Sequence, residues 1–295
     1  MLKEKDILLP PWLAYPEIER YSIGWRMGGG EDYMGKWDRW YQKLPDKKSE
    51  EYRRLFPEPP TWKGFWNDTD ECDCYQHGDF CIEYWQKDGK PKYSLEQLQQ
   101  DYRAGKKLKY CMFWKTQPAS EKTLSRGCLS QWYQSHFFSV VNHYCCMEQF
   151  MMYHKAQLFG DEEMMQQILA SKDPKKIKAL GQKVRNFDET AWSEAKYSIV
   201  LNGNYKKFSQ NPRLKNFLLQ TGDKILAEAS PYDGVWGIKM SESDENVQNP
   251  LNWRGQNLLG FALMEVRDVL REVCKFESLA TFKLNESLAL PVKSE

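Results

Sequence analysis

Apolar residues recur at helical spacing most clearly toward the end of the chain. In NLLGFALMEVRDVLREV, Leu258, Leu259, Ala262, Leu263, Val266, Val269, Leu270 and Val273 share one face, which predicts a core helix. LKNFLLQTGDKILAEA repeats the pattern and predicts further amphipathic helix. Asp173–Pro174 reads as a helix start, with Asp as cap and Pro at the first position, and the lysines of KKIKAL fall on a solvated face. SLEQLQQDYRAG predicts a short helix capped by Ser94, with Gln97 three residues on. KLKYCMFW predicts a strand. SPYDGVWGIKMSESDENVQNPLNWRGQN has little periodicity and reads as a long functional loop.

Composition divides the chain. Seven of the twelve tryptophans and seven of the fourteen prolines precede residue 90, so the early region is expected to be irregular and aromatic-rich. The expected organisation is an accessory region over 1–106 and a second domain over 107–295, with the boundary near Gly105–Lys107. Within the first region, SIGWRMGGGEDYMGKWDRWYQKL runs three glycines into a helix that turns Trp37, Trp40 and Tyr41 toward a core. A glycine turn before a helix, with Arg26 beside it, also suits an anion; a plain turn fits equally.

The formal net charge of +1 argues against sequence-blind nucleic-acid binding. No apolar run reaches the roughly 20 residues of a membrane helix, and MLKEKDILLPPW lacks a secretory core, so a cytoplasmic protein is expected. Adjacent Cys145 and Cys146 suit free thiols in a reducing compartment. Cys72, Cys74, Cys81 and His77 are donors of the right type for zinc, but C-x-C-x6-C matches no common motif, and no metal or cofactor is expected.

The segment EQFMMYHKAQLFGD raises the sharpest chemical question. On a helical wheel, Met147, Phe150, Met151, His154 and Leu158 form one stripe and Glu148, Met152, Lys155 and Phe159 a second. Gln149, Tyr153, Ala156 and Gln157 take the far side. The apolar arc is wide enough to predict burial. Glu148 and Lys155 then lie within it two turns apart, about 10 Å along the axis and too far for an i, i+4 pair. Buried charges need partners or a wet cleft. Desolvation beside Met152 and Phe159 would favour the neutral, nucleophilic form of Lys155. A packed stem with its head in water fits the same pattern.

In chain order, YCMFWK, CLSQWY, EQFMMYHKAQLFGD, LGQKVRNFDETAW, NGNYKKFSQNPRLKNFLLQTGD, EASPYDGVWGI and NWRGQNLLGFALMEVRDVLR resemble the NADAR family of YbiA-like N-glycosidases from about Lys109 to Arg271. The resemblance implies an α+β domain, predominantly helical with a few short strands, behind an accessory N-terminal region. It also implies hydrolysis of a bond between ribose C1 and a base nitrogen. Two substrates are open: ADP-ribosylated guanine, as nucleoside or in nucleic acid, and a phosphoribosyl pyrimidine of riboflavin synthesis. The spacer in YCMFWKTQPASEKTLSRGCLSQWY and the form EQFMMYHKA favour the first. A binding module for ADP-ribose or NAD without turnover is the third reading. No membrane or partner protein is implied.

The family likeness assigns Glu148, Lys155 and Asp233 to catalysis: Glu148 for acid–base work or cation stabilisation, Lys155 as an amine that holds C1 as an imine, and Asp233 to orient hydroxyls or water. Asp233 also suits an Asx turn before Gly234. Trp132, Trp192 and Trp236 are candidate stacking walls, with Trp114 a further one; Gln131 and Asn257 are candidate hydrogen-bonding groups. Gly237 and Gly260 suit close backbone approach, and Arg185 suits a phosphate or a surface ion pair.

Overall fold

The computed structural model describes residues 7–69, 73–115, 124–140 and 142–279. Two compact units divide the chain, one formed by Met1–Glu71 with Arg271–Glu295 and the other by Cys72–Leu270.

In the first unit, helices α1 (Pro11–Ala14), α2 (Gly28–Tyr41) and α3 (Asp46–Leu55) surround an aromatic cluster. Trp37 stacks on Tyr41 at 5.0 Å, and Trp12 meets Trp62, Phe65 and Trp66 at 5.3–5.4 Å. Some polar tips are satisfied inside the cluster, while Trp12 Nε1 is buried without a partner. Trp37 Nε1 donates to Tyr52 Oη at 3.0 Å, and Tyr52 donates onward to the Leu8 carbonyl at 2.8 Å. Large rings whose polar edges find partners build a core from few residues.

The second unit opens with a hairpin, β1 (Cys74–His77) and β2 (Phe80–Glu83), followed by α4 (Leu95–Arg103). The boundary expected near Gly105–Lys107 therefore falls inside this unit. Side chains hold residues 73–106 to it: Trp85 Nε1 donates to Asn202 Oδ1 at 3.0 Å, the Lys92 amide to Glu265 at 2.7 Å and Gln99 to the Pro250 carbonyl at 3.0 Å. Ser94 caps α4 by accepting from the Gln97 amide at 3.1 Å, as its spacing predicts.

Next come β3 (Tyr110–Phe113), the hairpin β4 (Phe137–Ser139) with β5 (Asn142–Tyr144), and helices α5 (Met147–Leu158), α6 (Glu162–Ala170), α7 (Pro174–Gly181), α8 (Glu189–Ser209) and α9 (Pro212–Gln220). Strand β6 (Ile225–Glu228) and helix α10 (Leu258–Val273) complete the architecture, which is α+β with few, short strands. Asp173 caps α7 with Pro174 at its first turn, as expected. The helix expected through KILAEA is absent: α9 stops at Gln220, Gly222 takes a positive φ of 60°, and the chain re-enters as β6. Tertiary pairing decides this. β6 lies parallel to β3, with Tyr110 opposite Ile225 and Phe113 opposite Glu228. Among the described residues no helix is long and apolar enough to cross a membrane.

Helix α5 is the hub of this unit, packing on α6, α7 and α8. Most of its far side is buried as well, with Gln157 the exception. Gln149 accepts from the Cys145 amide at 2.7 Å and donates to the carbonyls of Ile168, Leu169 and Ser171, so the amide fastens one helix to the end of another.

Candidate active site

A pocket of about 630 Å³ opens where α5 meets the carboxyl ends of the parallel strands. That is where ligands gather in parallel α/β arrangements, because the strand ends leave a crevice there. Glu148, Met152 and Lys155 reach it from α5, Gln131 and Trp132 from the CLSQWY segment, Trp192 from α8 and Asp233 and Trp236 from the loop after β6. The two charges of α5 thus share one cavity.

Each supporting segment is pinned. The Glu148 amide donates to the Gln131 carbonyl at 3.0 Å, tying the SQW segment to the first turn of α5. Lys207, fully buried on α8, donates to the carbonyls of Cys128 at 2.7 Å and Ser130 at 3.0 Å. The loop carrying Asp233 and Trp236 lies across the start of α10. There the Leu258 and Leu259 amides donate to the carbonyls of Val235 and Trp236, satisfying groups a helix start leaves unpaired. Asp233 Oδ1 accepts from the Val235 and Trp236 amides at 2.9 and 2.8 Å, so the Asx turn and the pocket position coexist in one residue.

The electrostatics are unusual for a pocket with solvent access. Glu148 is buried; its Oε2 accepts from Trp132 Nε1 at 3.2 Å while Oε1 has no partner. Burial pushes its carboxyl up to about 7 against the pull of Lys178 and the Trp132 bond. Lys155 Nζ donates to the Gly181 carbonyl at 3.0 Å and lies 4.3 Å from the Phe187 ring and 5.5 Å from that of Trp192. Desolvation lowers its proton affinity, opposed by Glu189. The rings nearest Lys155 Nζ are Phe187, from the α7–α8 connection, and Trp192, from α8, and Phe159 meets Phe187 at 5.3 Å.

Arg185, Asn257, Gly237 and Gly260 stand outside the pocket lining. Arg185 binds Asp161, which lies at the α6 cap, through its backbone amide, Nε and a terminal nitrogen, and it adds Glu163 at 3.3 Å. Those bonds hold the Asp161 carboxyl down at about 2. Asn257 is fully buried and clamps β6: its Oδ1 accepts from the Glu228 amide at 3.1 Å and its Nδ2 donates to the Leu226 carbonyl at 2.9 Å. At Gly237 a Cβ would stand 2.8 Å from the Glu228 carbonyl, so the close approach is that of the chain to itself.

The profile described as NADAR domain matches residues 112–271. The chain belongs to the NADAR domain family. N-glycosidase R617 of Acanthamoeba polyphaga mimivirus is 46% identical over 145 residues, covering 47% of this chain and 85% of that protein. Protein irg-1 of Caenorhabditis elegans is 38% identical over 147 residues, 49% of this chain and 69% of that one. The NMR structure of the E. coli protein YbiA aligns with a TM-score of 0.45 at 20% identity, over 61% of this chain and 93% of that chain. Several curated relatives of this NADAR chain carry the name N-glycosidase, which supports a hydrolase acting on N-glycosyl bonds.

The NADAR pocket also holds groups that the sequence reading passed over. Glu228 ends β6 inside it, Lys178 reaches it from α7, and the exposed Tyr232 joins its lining 6.0 Å from the tilted ring of Trp114, the candidate wall already named, over which Lys115 stands at 4.4 Å. An acidic residue closing the apolar run ILAE was the available signal for Glu228. Lys178 sat in KKIKAL, where nothing separates it from its solvated neighbours. The spacer at 116–123 and Cys72 lie outside the described residues. Among those described, no group of three or more His, Cys, Asp or Glu is arranged to hold a metal ion.

Proposed function

We propose that this pocket hydrolyses the bond between ribose C1 and guanine in ADP-ribosylated guanosine, releasing ADP-ribose. One observation supports this substrate over a phosphoribosyl pyrimidine: the aromatic walls come in two sets. Trp132, Trp192 and Trp236 line the pocket with Glu148 and Lys155, and Trp114 with the exposed Tyr232, their rings tilted at 6.0 Å, makes a second set. A compound with two bases uses both, since each platform stacks one flat ring. Lys115 and Lys178, both exposed, offer positive charge for the diphosphate between them.

Glu148, in its ionised form, stabilises the positive charge that develops at C1. Asp233 orients the attacking water or the ribose hydroxyls. Lys155 attacks C1 as a neutral amine while the C1–N electron pair leaves with the base, which takes up a proton. Ring opening passes an amine proton to the ribose ring oxygen and yields an imine. Water then adds at C1 and the amine departs, leaving the free sugar and an unchanged lysine. Buried carboxyl oxygens without partners are costly in a module that only binds, which favours turnover.

The test is incubation of the full chain with ADP-ribosylated guanosine and, in parallel, with phosphoribosyl pyrimidine, with products separated by chromatography. The expected result is free ADP-ribose from the first, lost in Glu148→Gln and Lys155→Ala, and a borohydride-trapped adduct absent from Lys155→Ala. Hydrolysis of the pyrimidine alone would assign the other substrate. Trapping that persists without Lys155 would remove the imine.

A further inference from the structure

Glycosidic cleavage needs a proton for the departing nitrogen, and neither the ionised Glu148 nor Lys155 acting as a nucleophile supplies one. Resting on the N-glycosidase reading above, we propose that Glu228 is the proton donor to the leaving base. It gives its carboxyl hydrogen to the base nitrogen as the C1–N pair departs, and recovers one from the water that adds at C1.

Geometry leads to this assignment. Glu228 is the last residue of β6, and its amide is fixed by Asn257 Oδ1 at 3.1 Å. Its carbonyl accepts from the Ile238 amide at 2.9 Å, so the backbone that aims the side chain is held on both sides. The side chain lines the pocket together with Asp233 and Glu148, both close enough to act on its charge. Its Oε2 is shut from solvent and meets no donor or acceptor. A structural glutamate at such a place would be salt-bridged or hydrogen-bonded. A carboxylic acid waiting for a base nitrogen has this arrangement instead.

The charges facing Glu228 separate the roles of the two glutamates. Burial carries the carboxyl up to about 8; Asp233 and Glu148 add to the rise and Lys178 opposes it. Glu148 has the Trp132 indole bond in addition to Lys178 and stays nearer 7. Two carboxyls in one site whose surroundings push them apart divide into an acid and a base. Glu148 accepts an indole N–H, which favours its ionised form, whereas among the described residues no N–H reaches the Glu228 carboxyl, so Glu228 is the one placed to keep its proton.

The experiment has an arm that needs no turnover. Carboxyl-13C NMR of glutamate-labelled full-length protein, with the resonance assigned by Glu228→Gln, reads whether that group carries a proton at pH 7. A protonated carboxyl that titrates near 8 is expected; one already ionised at pH 7 overturns the proposal, whatever the substrate proves to be. In the activity arm, Glu228→Gln should lose at least 100-fold in kcat with KM changed less than about threefold. The alkaline limb of the pH profile should vanish, and Glu228→Ala should recover part of its rate on addition of formate or acetate. Rates in Glu228→Gln within threefold of the wild type, or an alkaline limb that remains, refute the assignment. Failure of the wild type to release ADP-ribose counts against the substrate reading alone, because the NMR arm still decides the proton.

Discussion

Trp132 donates its indole N–H to Glu148 Oε2 at 3.2 Å, joining the SQW segment to the carboxyl group at the start of α5. The bond favours the ionised glutamate and so opposes the burial that raises it. Trp132→Phe keeps a ring at the wall and removes the donor. Its acid limb should move to higher pH by about one unit, and the rate at pH 7 should fall by roughly three- to tenfold. A pH–rate series on both proteins measures this. An unmoved acid limb would show that the limb belongs to another group.

Lys155 and Glu189 make a second testable pair. Glu189 raises the proton affinity of the amine, and desolvation lowers it further than the glutamate restores. Glu189→Gln should therefore increase the neutral fraction of Lys155 and speed imine formation at pH 7. The gain should shrink in high salt, since Glu189 is exposed and screened. Lys155→Arg keeps a cation but offers no nucleophile at working pH, so turnover should fall by about a thousandfold with no trapped adduct. Turnover retained within tenfold would reassign Lys155 to a purely electrostatic part.

Asn257 holds the strand that ends in Glu228. It adopts a φ of 56° and bridges the Leu226 carbonyl and the Glu228 amide. Asn257→Ala loses both bonds at a buried position, at a cost of about 2–4 kcal/mol in stability. Gly260→Ala attacks the same joint from α10, where a Cβ would stand 2.1 Å from the Leu226 carbonyl. Denaturant titration of each variant measures the cost; a loss below about 1 kcal/mol in both would show the joint to be slack.

The acidic pair also sets a pH dependence of stability. Carboxyls with an ordinary value of 4.5 that are raised to about 7 and about 8 in the fold bind protons more tightly when folded. Their contribution is full below about 4.5 and is lost as pH rises through 7 and 8. Glu228→Gln removes one share of that loss. It should raise the melting temperature at pH 9 by roughly 5 °C and leave it nearly unchanged at pH 4.5. Equal shifts at both pH values would mean that Glu228 is ionised without penalty.

Much of the site was legible because local patterns carried it. Ser94 and Asp173 announced their helices through capping chemistry, and the width of the apolar arc around Glu148 and Lys155 predicted a buried α5. Other residues were not legible. KILAE has no feature that favours strand over helix until β3 pairs with it. Arg185 and Lys178 look alike as surface cations, yet one is taken up by Asp161 and the other reaches the pocket. The Asx turn at Asp233 was readable from Asp before Gly, but its place in the pocket depends on α10 lying beneath the loop.

By itself the sequence determined the helical periods, the caps, the spacing of a carboxyl and an amine by two turns, and membership in the NADAR domain family. Only the tertiary structure decided that Glu228, at the end of a strand paired far along the chain, faces the same cavity as Glu148 and Asp233. The reason is physical. Periodicity and capping are properties of neighbours along the backbone, whereas a proton's preference for one carboxyl over another arises from burial and from charges that distant segments bring together.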